Sequence, residues 1–136
     1  MVGNPQNMME NIKYKDLSGQ IINYFAKKLE ELTHFGIKDV IIDIGFGFSK
    51  TTAQNHELLQ QLKLFQILNS PILVGVSRKS MIYKILKTSP EQALNGTTVL
   101  NTIAVLQGAN ILRVHDVKEA NEVIDLINYK NIDSAF

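Results

Sequence analysis

The chain has no cysteine. That excludes a disulfide framework and any cysteine-ligated metal site, and it fits a reducing cytoplasm. There is almost no charge imbalance either. Fourteen Lys and Arg against thirteen Asp and Glu leave a formal net charge of +1. A surface so balanced offers no general field for nucleic acid or for an anionic membrane. No apolar run approaches the roughly 18–20 residues that a membrane span needs. The first residues, Met1-Val2-Gly3-Asn4-Pro5, carry neither the basic segment nor the apolar run of a signal peptide. His34 and His56 fall on helical stretches with no matching partner and read as surface residues. With no HxxxH or similar spacing, no zinc site is expected, and no metal-ligating residue is assigned. No linker, repeat or low-complexity stretch interrupts the chain. What is present is an ordinary globular composition, 136 residues of which 45% are hydrophobic and 20% charged, enough for one domain.

Hydrophobic periodicity orders that domain. Residues 1–15 are polar and irregular and read as a loop. Ile21, Phe25, Leu29 and Leu32 recur at helical spacing after a cap at Asp16 or Ser18, and Gly36 closes that helix. Lys38–Asp43 reads as a buried strand. A second helix is expected from Thr52 to about Leu68, broken by Asn69-Ser70-Pro71. The strand Ile72–Val76 follows, then a short helix from Ser80 to about Leu86. Ser89 and Pro90 open a helix to about Leu106, with Ala93, Thr97, Leu100 and Ala104 on one side. Gly96 and Thr97-Thr98-Val99 weaken its middle. Gly108 stops it. Ile111–Val114 is a third strand, and Val117 to about Asn128 a last helix. Residues 129–136 form a tail. Strands alternating with helices imply parallel pairing through right-handed crossovers, an α/β fold.

Each strand delivers chemistry at its carboxyl end, where α/β folds build their sites. The first runs into Asp43-Ile44-Gly45-Phe46-Gly47-Phe48-Ser49-Lys50-Thr51. Taken alone, Asp43 reads first as a capping acid. Its second reading is a bidentate acceptor for a flat, guanidine-like heterocycle edge. Gly45 and Gly47 suit a turn or a close approach to a ligand. Phe46 and Phe48 suit a core or the wall of an aromatic pocket. The second strand runs into Ser77-Arg78-Lys79-Ser80. A basic pair at a helix start opposes the helix dipole, which makes a purely structural role less natural. Lys79 can donate to a carbonyl or ring nitrogen, and Ser80 with the helix-start N–H groups suits a carboxylate. Arg78 reads as an outward salt bridge. The third strand runs into Arg113-Val114-His115-Asp116. Strand alternation would point Arg113 and His115 to one side, an arrangement suited to phosphate or diphosphate. Asp116 is the nearest acid to both, and it also reads as the cap of the last helix.

Together these three motifs resemble dihydropteroate synthase, of the pterin-binding family. Met1-Val2-Gly3-Asn4-Pro5-Gln6-Asn7-Met8 resembles a fourth family segment, and the resemblance extends to about Ile127. It implies the carboxyl-terminal portion, about strands six to eight, of a TIM-type (β/α)8 barrel, with residues 1–136 as one partial domain. The implied reaction joins p-aminobenzoate to a 7,8-dihydropterin-6-ylmethyl diphosphate, giving dihydropteroate and diphosphate in folate biosynthesis. Asp43 and Lys79 would hold the pterin, with Gly75 beneath it. Arg113 would pack on the pterin and help bind the diphosphate, with His115 on the same phosphate group. Phe48 and Ser80 would line the p-aminobenzoate site. Lys79, Arg113 and His115 are the implied catalytic residues. Mg2+ is the implied companion of the diphosphate, its main ligand lying outside this chain.

The resemblance also implies a cytoplasmic enzyme that dimerises through its later helices. Association through open sheet edges is the other route to an oligomer. Ile44 stands where the family usually has proline, which loosens the loop but removes no ligand group. Three strands do not close a barrel, so the chain alone is expected to be inactive. The alternatives are a non-catalytic pterin- or phosphate-binding or assembly module, or another enzyme of the pterin-binding family.

Overall fold

Helix α1 spans Leu17–His34 and buries one stripe, Leu17, Ser18 and Ile21, with Phe25 and Leu29 packed at the edge of the core. The structure is a computed structural model, and it describes residues 16–129. The expected loop over residues 1–15, the Met1–Met8 motif and the tail beyond Tyr129 lie outside the described residues. Asp16 occupies the cap position of α1 without a side-chain cap bond. Ser18 is not a cap at all: it is buried and its hydroxyl donates to Gln61 Oε1 at 2.6 Å. Gly36, at φ 80°, ends the helix as expected. Its N–H meets the Thr33 carbonyl, and that of Ile37 the Leu32 carbonyl. These are the two bonds of a Schellman cap, and they need a residue in the left-handed region.

Three short parallel strands follow in chain order: β1 (Ile42–Asp43), β2 (Ile72–Val74) and β3 (Ile111–Leu112). Each is shorter than its apolar run. Ile42 aligns with Ile72, and Leu73 with Ile111. Helices connect them: α2 (Thr52–Gln60), α3 (Ser80–Leu86), α4 (Leu94–Leu106) and, after β3, α5 (Val117–Ile127). Alternation along the strands puts Ile42, Ile72 and Val74 against the helices. There they meet Leu58, Leu62, Phe65, Met81, Ile82 and Leu100 in one core. The opposite face carries Ile41, Asp43 and Arg113, all exposed, with Leu73 and Ile111 half-buried. No described helix is long and apolar enough to cross a membrane.

Two expected helices divide. The segment Thr52–Leu68 is α-helical only to Gln60, and Leu62–Leu68 is a 3₁₀ helix. Leu62, Phe65 and Leu68 recur every three residues, so the tighter winding keeps all three turned to the core and leaves Leu64 and Ile67 outside. The side chain of Gln107 accepts the Lys63 N–H, a donor that the change of winding would otherwise leave unpaired. Likewise Pro90–Gln92 is a 3₁₀ turn, and α4 begins only at Leu94. Ala93, Thr97, Leu100 and Ala104 are nevertheless all buried. Gly96, which weakens α4 locally, is what permits its contact with α3: a methyl there would overlap the γ2 carbon of Ile82 and stand 3.0 Å from Leu86 Cδ1. His56 is no free surface residue, since its Nε2 lies 2.6 Å from the Met81 carbonyl, tying α2 to α3.

Candidate active site

The loop after β1 is held by its own backbone and by two lysines. Gly45 and Gly47 have φ of 78° and 89°, the left-handed region that glycine enters without strain. Ser49, at 55°, has no such freedom. Asp43 Oδ1 accepts the Gly45 N–H at 2.9 Å, and Asn55 Oδ1 accepts that of Gly47 at 2.8 Å. Asn55 is buried in α2, whose start is a capping box between Thr51 and Gln54. Lys50 Nζ donates to the carbonyls of Gly45 (2.8 Å) and Phe48 (3.0 Å), and Lys79 Nζ to that of Phe46 (2.7 Å). The two phenylalanines therefore part company. Phe46 is fully buried in the core. Phe48 is 59% exposed, with the Lys79 ammonium 5.5 Å from its ring centre. Ile44 turns inward and is buried, so it anchors the loop by its side chain.

Register explains the other half of the site. Leu73 and Val74 pair with Ile111 and Leu112, an offset of 38 residues. The ladder stops there, but the offset continues along the chain. Arg113 lies over Gly75, where an added methyl would stand 2.5 Å from its Nη2. His115 reaches Ser77, with Nδ1 2.8 Å from Oγ. Asp116 accepts two bonds from Arg78, 2.7 Å from Nη2 and 3.3 Å from Nε. Arg113 then crosses the middle strand to donate to Asp43 Oδ2 at 2.7 Å. The nearest acid in sequence, Asp116, is taken by Arg78 instead. It occupies the cap position of α5, but its side chain makes no cap bond there. Arg78, at φ 56°, also has its N–H bound by the Thr97 hydroxyl.

The site is rich in positive charge. Burial pushes the Asp43 carboxyl up, but the hydrogen bonds from Arg113 and Gly45 and the charges of Arg113 and Lys79 outweigh it and hold the group below its ordinary value. Burial, then the charge of Arg113, lowers Lys79, with Asp43 opposing. Burial, then the charge of Lys79, brings Lys50 down to about 8. Hydrogen bonding holds Arg78 above and Asp116 below their usual values. One carboxylate flanked by Lys79, Arg113 and Lys50 can bind a ligand with a donor edge at one end and an anion at the other.

Asp43, Gly75, Lys79 and Arg113 thus form one cluster, with Phe48 at its rim against Lys79. His115 stands apart on Ser77 and is not bonded to Arg113. Ser80 is the half-buried first residue of α3. Lys50, Asn55 and Ser77 also belong to the site, through bonds to the loop and to His115. The Thr-x-x-Gln spacing of Thr51 and Gln54 was a legible sign of the capping box. The bonds of Lys50, Asn55 and Ser77 left no such sign.

The sequence pattern of the pterin binding enzyme family matches residues 1–115. The chain belongs to that family. Among its relatives, the dihydropteroate synthase of Escherichia coli strain K12 is 41% identical over 129 residues, covering 93% of this chain and 46% of the relative. The crystal structure of the Yersinia pestis dihydropteroate synthase with a sulfonamide drug complex superposes with a TM-score of 0.84 at 40% identity, over 93% of this chain and 47% of that one. The Thermus thermophilus enzyme in complex with 4-aminobenzoate superposes at 0.80, with 31% identity over 90% and 51%. The chain spans about half the length of the relatives it matches, and its α/β unit is part of a (β/α)8 barrel, as the motifs implied.

Proposed function

We propose that the chain forms the carboxyl-terminal part of a dihydropteroate synthase and supplies the last three strands' share of its site. The observation that carries the reading is the convergence of Asp43, Lys79 and Arg113 at the carboxyl ends of three adjacent parallel strands, with Arg113 bridging over Gly75 to Asp43 at 2.7 Å. The substrate is a 7,8-dihydropterin-6-ylmethyl diphosphate. Asp43 accepts from the pterin's amino-pyrimidine edge, and Lys79 donates to its acceptor atoms. Arg113 packs over the ring and, with His115, takes the diphosphate. p-Aminobenzoate lies between Phe48 and Ser80. Its amine displaces diphosphate from the pterin methylene. A C–N bond forms as the C–O bond breaks, the electron pair leaves with the diphosphate, and the amine's proton passes to solvent water. The protein's contribution is orientation and stabilisation of charge on the leaving group.

Mg2+ is the expected companion of that diphosphate. Among the described residues, no three His, Cys, Asp or Glu side chains cluster to hold a metal ion. These residues do not fit the ion by themselves. A cytoplasmic location belongs to the same reading, as does dimerisation through the later helices. Dimerisation is supported by the exposed Val99 and Leu106 of α4 and Leu126 of α5, and sedimentation showing only monomer would remove it. A three-stranded sheet does not enclose a substrate, so turnover needs the rest of a barrel.

Calorimetry with the pterin diphosphate tests the reading. Binding heat that is abolished in Asp43→Ala and in Lys79→Ala is expected; heat unchanged in both variants would overturn the assignment. p-Aminobenzoate incorporation by the chain alone would show that it needs no further strands. Binding without turnover, even when the remaining strands are supplied, would favour a non-catalytic pterin-binding module.

A further inference from the structure

We infer that Ser77 is a positioning residue that fixes the tautomer of His115, so that the neutral ring presents an N–H to an anion at the mouth of the site. The inference deepens the proposed function and rests on it for the identity of that anion as a diphosphate.

Ser77 is buried, 6% exposed, in the turn after β2, while His115 is exposed at the end of β3. One oxygen meets the histidine twice. The backbone N–H of His115 donates to Ser77 Oγ at 3.2 Å, and Oγ lies 2.8 Å from Nδ1 of the ring. The first bond uses a lone pair of the hydroxyl oxygen and leaves its single proton to be placed. Among the described residues, that hydroxyl makes no hydrogen bond to an acceptor other than Nδ1. If Nδ1 carried a proton in the neutral ring, both groups would be donors, and the buried hydroxyl proton would go unpaired. The satisfied arrangement has the hydroxyl donating to a bare Nδ1, which puts the ring proton on Nε2, the nitrogen that Ser77 leaves free. A neutral imidazole so held donates to an anionic oxygen without having to be protonated first.

The neighbours hold this geometry in place. The Arg78–Asp116 pair fastens the residue after Ser77 to the residue after His115. The Arg78 N–H is bound by Thr97 of α4, so the turn is tied to a helix as well. Ser77 therefore cannot follow the ring if it rotates away, and a ring that leaves Nδ1 unbonded strands the hydroxyl.

Long-range nitrogen–proton NMR of the imidazole side chains in the whole chain tests the inference. The His115 signals are assigned by their absence from His115→Gln. At a pH where the ring is neutral, the wild-type Nδ1 is expected at the far-downfield position of a bare nitrogen and Nε2 at that of a protonated one. In Ser77→Ala the two resonances move toward each other as both tautomers are sampled, and in Ser77→Thr, which restores the hydroxyl, they move back. A wild-type ring that already averages its tautomers, or that is protonated on Nδ1, overturns the inference whether or not the alanine variant folds. So does a folded Ser77→Ala with unmoved signals. Titration with sodium pyrophosphate separates this from the functional reading. Pyrophosphate that shifts neither His115 nor Arg113 defeats the diphosphate assignment, while the tautomer assignment stands or falls on the nitrogen shifts alone.

Discussion

Substituting Gly75 by alanine separates the stability of this fold from its ligand chemistry. The added methyl stands 2.5 Å from Nη2, 2.8 Å from Cζ and 3.0 Å from Nε of Arg113. All three atoms belong to the tip of a side chain that is 52% exposed, so the guanidinium yields rather than the backbone. Losing the exposed Arg113–Asp43 pair costs about 0–1 kcal/mol. Replacing glycine where its φ is compatible with alanine returns about 0.4–1 kcal/mol by restricting the unfolded chain. Net stability should therefore change by less than about 1 kcal/mol. Diphosphate binding should suffer far more. A misplaced guanidinium forfeits a charge-assisted bond of about 1.5–3 kcal/mol, roughly 10- to 150-fold in affinity. Asp43 reports the displacement independently. Its carboxyl sits below its ordinary value in spite of burial because Arg113 and Gly45 donate to it, so moving Arg113 raises its pKa. The stability that Asp43 contributes is present above its unfolded pKa and is lost as pH falls through its folded pKa, so the variant loses it at a higher pH than the wild type. Urea denaturation, a carbon-13 titration of the Asp43 carboxyl and a pyrophosphate titration measure the three quantities. An unmoved Asp43 titration would refute the reasoning, as would a stability loss above about 2 kcal/mol.

Gly96→Ala should do the reverse and damage stability alone. Its gain in helix propensity is about 1 kcal/mol, but the overlap with buried Ile82 costs about 1–3 kcal/mol, so the urea midpoint falls with an unchanged slope; a raised midpoint would mean that α3 and α4 separate freely. Lys50, brought down to about 8 from 10.5, makes the unfolded state the stronger proton binder between those values. Stability should rise with pH across that interval in the wild type and stay flatter in Lys50→Met, and parallel profiles would show that the loop does not desolvate the amine. Phe48→Ala removes an exposed ring, so stability should stay within about 0.5 kcal/mol while p-aminobenzoate affinity drops about fivefold; unchanged affinity would take Phe48 out of the substrate wall.

Element order was legible because it depends on local periodicity. Apolar spacing announced every long helix and all three strands, and Gly36 and Gly108 stop helices where expected, each in the left-handed region. The errors came where tertiary contacts override a local rule. The run from Thr52 to Leu68 keeps helical spacing for its apolar residues, but Leu62, Phe65 and Leu68 face one core only if the winding tightens. His56 looked free because Met81, its partner, is 25 residues away.

The sequence by itself determined what the strand ends carry: an acid in a glycine and phenylalanine loop, a serine–basic–basic–serine turn, and an arginine and histidine before a helix. Only the tertiary structure decided who pairs with whom. Arg113 could have met Asp116, three residues along; instead it crosses Gly75 to Asp43, 70 residues away, and Asp116 belongs to Arg78. The reason is register. Periodicity says which face of a strand a side chain takes, but the 38-residue offset between β2 and β3 is set by packing across the whole sheet. That offset lays Arg113 over the one position with no side chain to stop it, and His115 on Ser77.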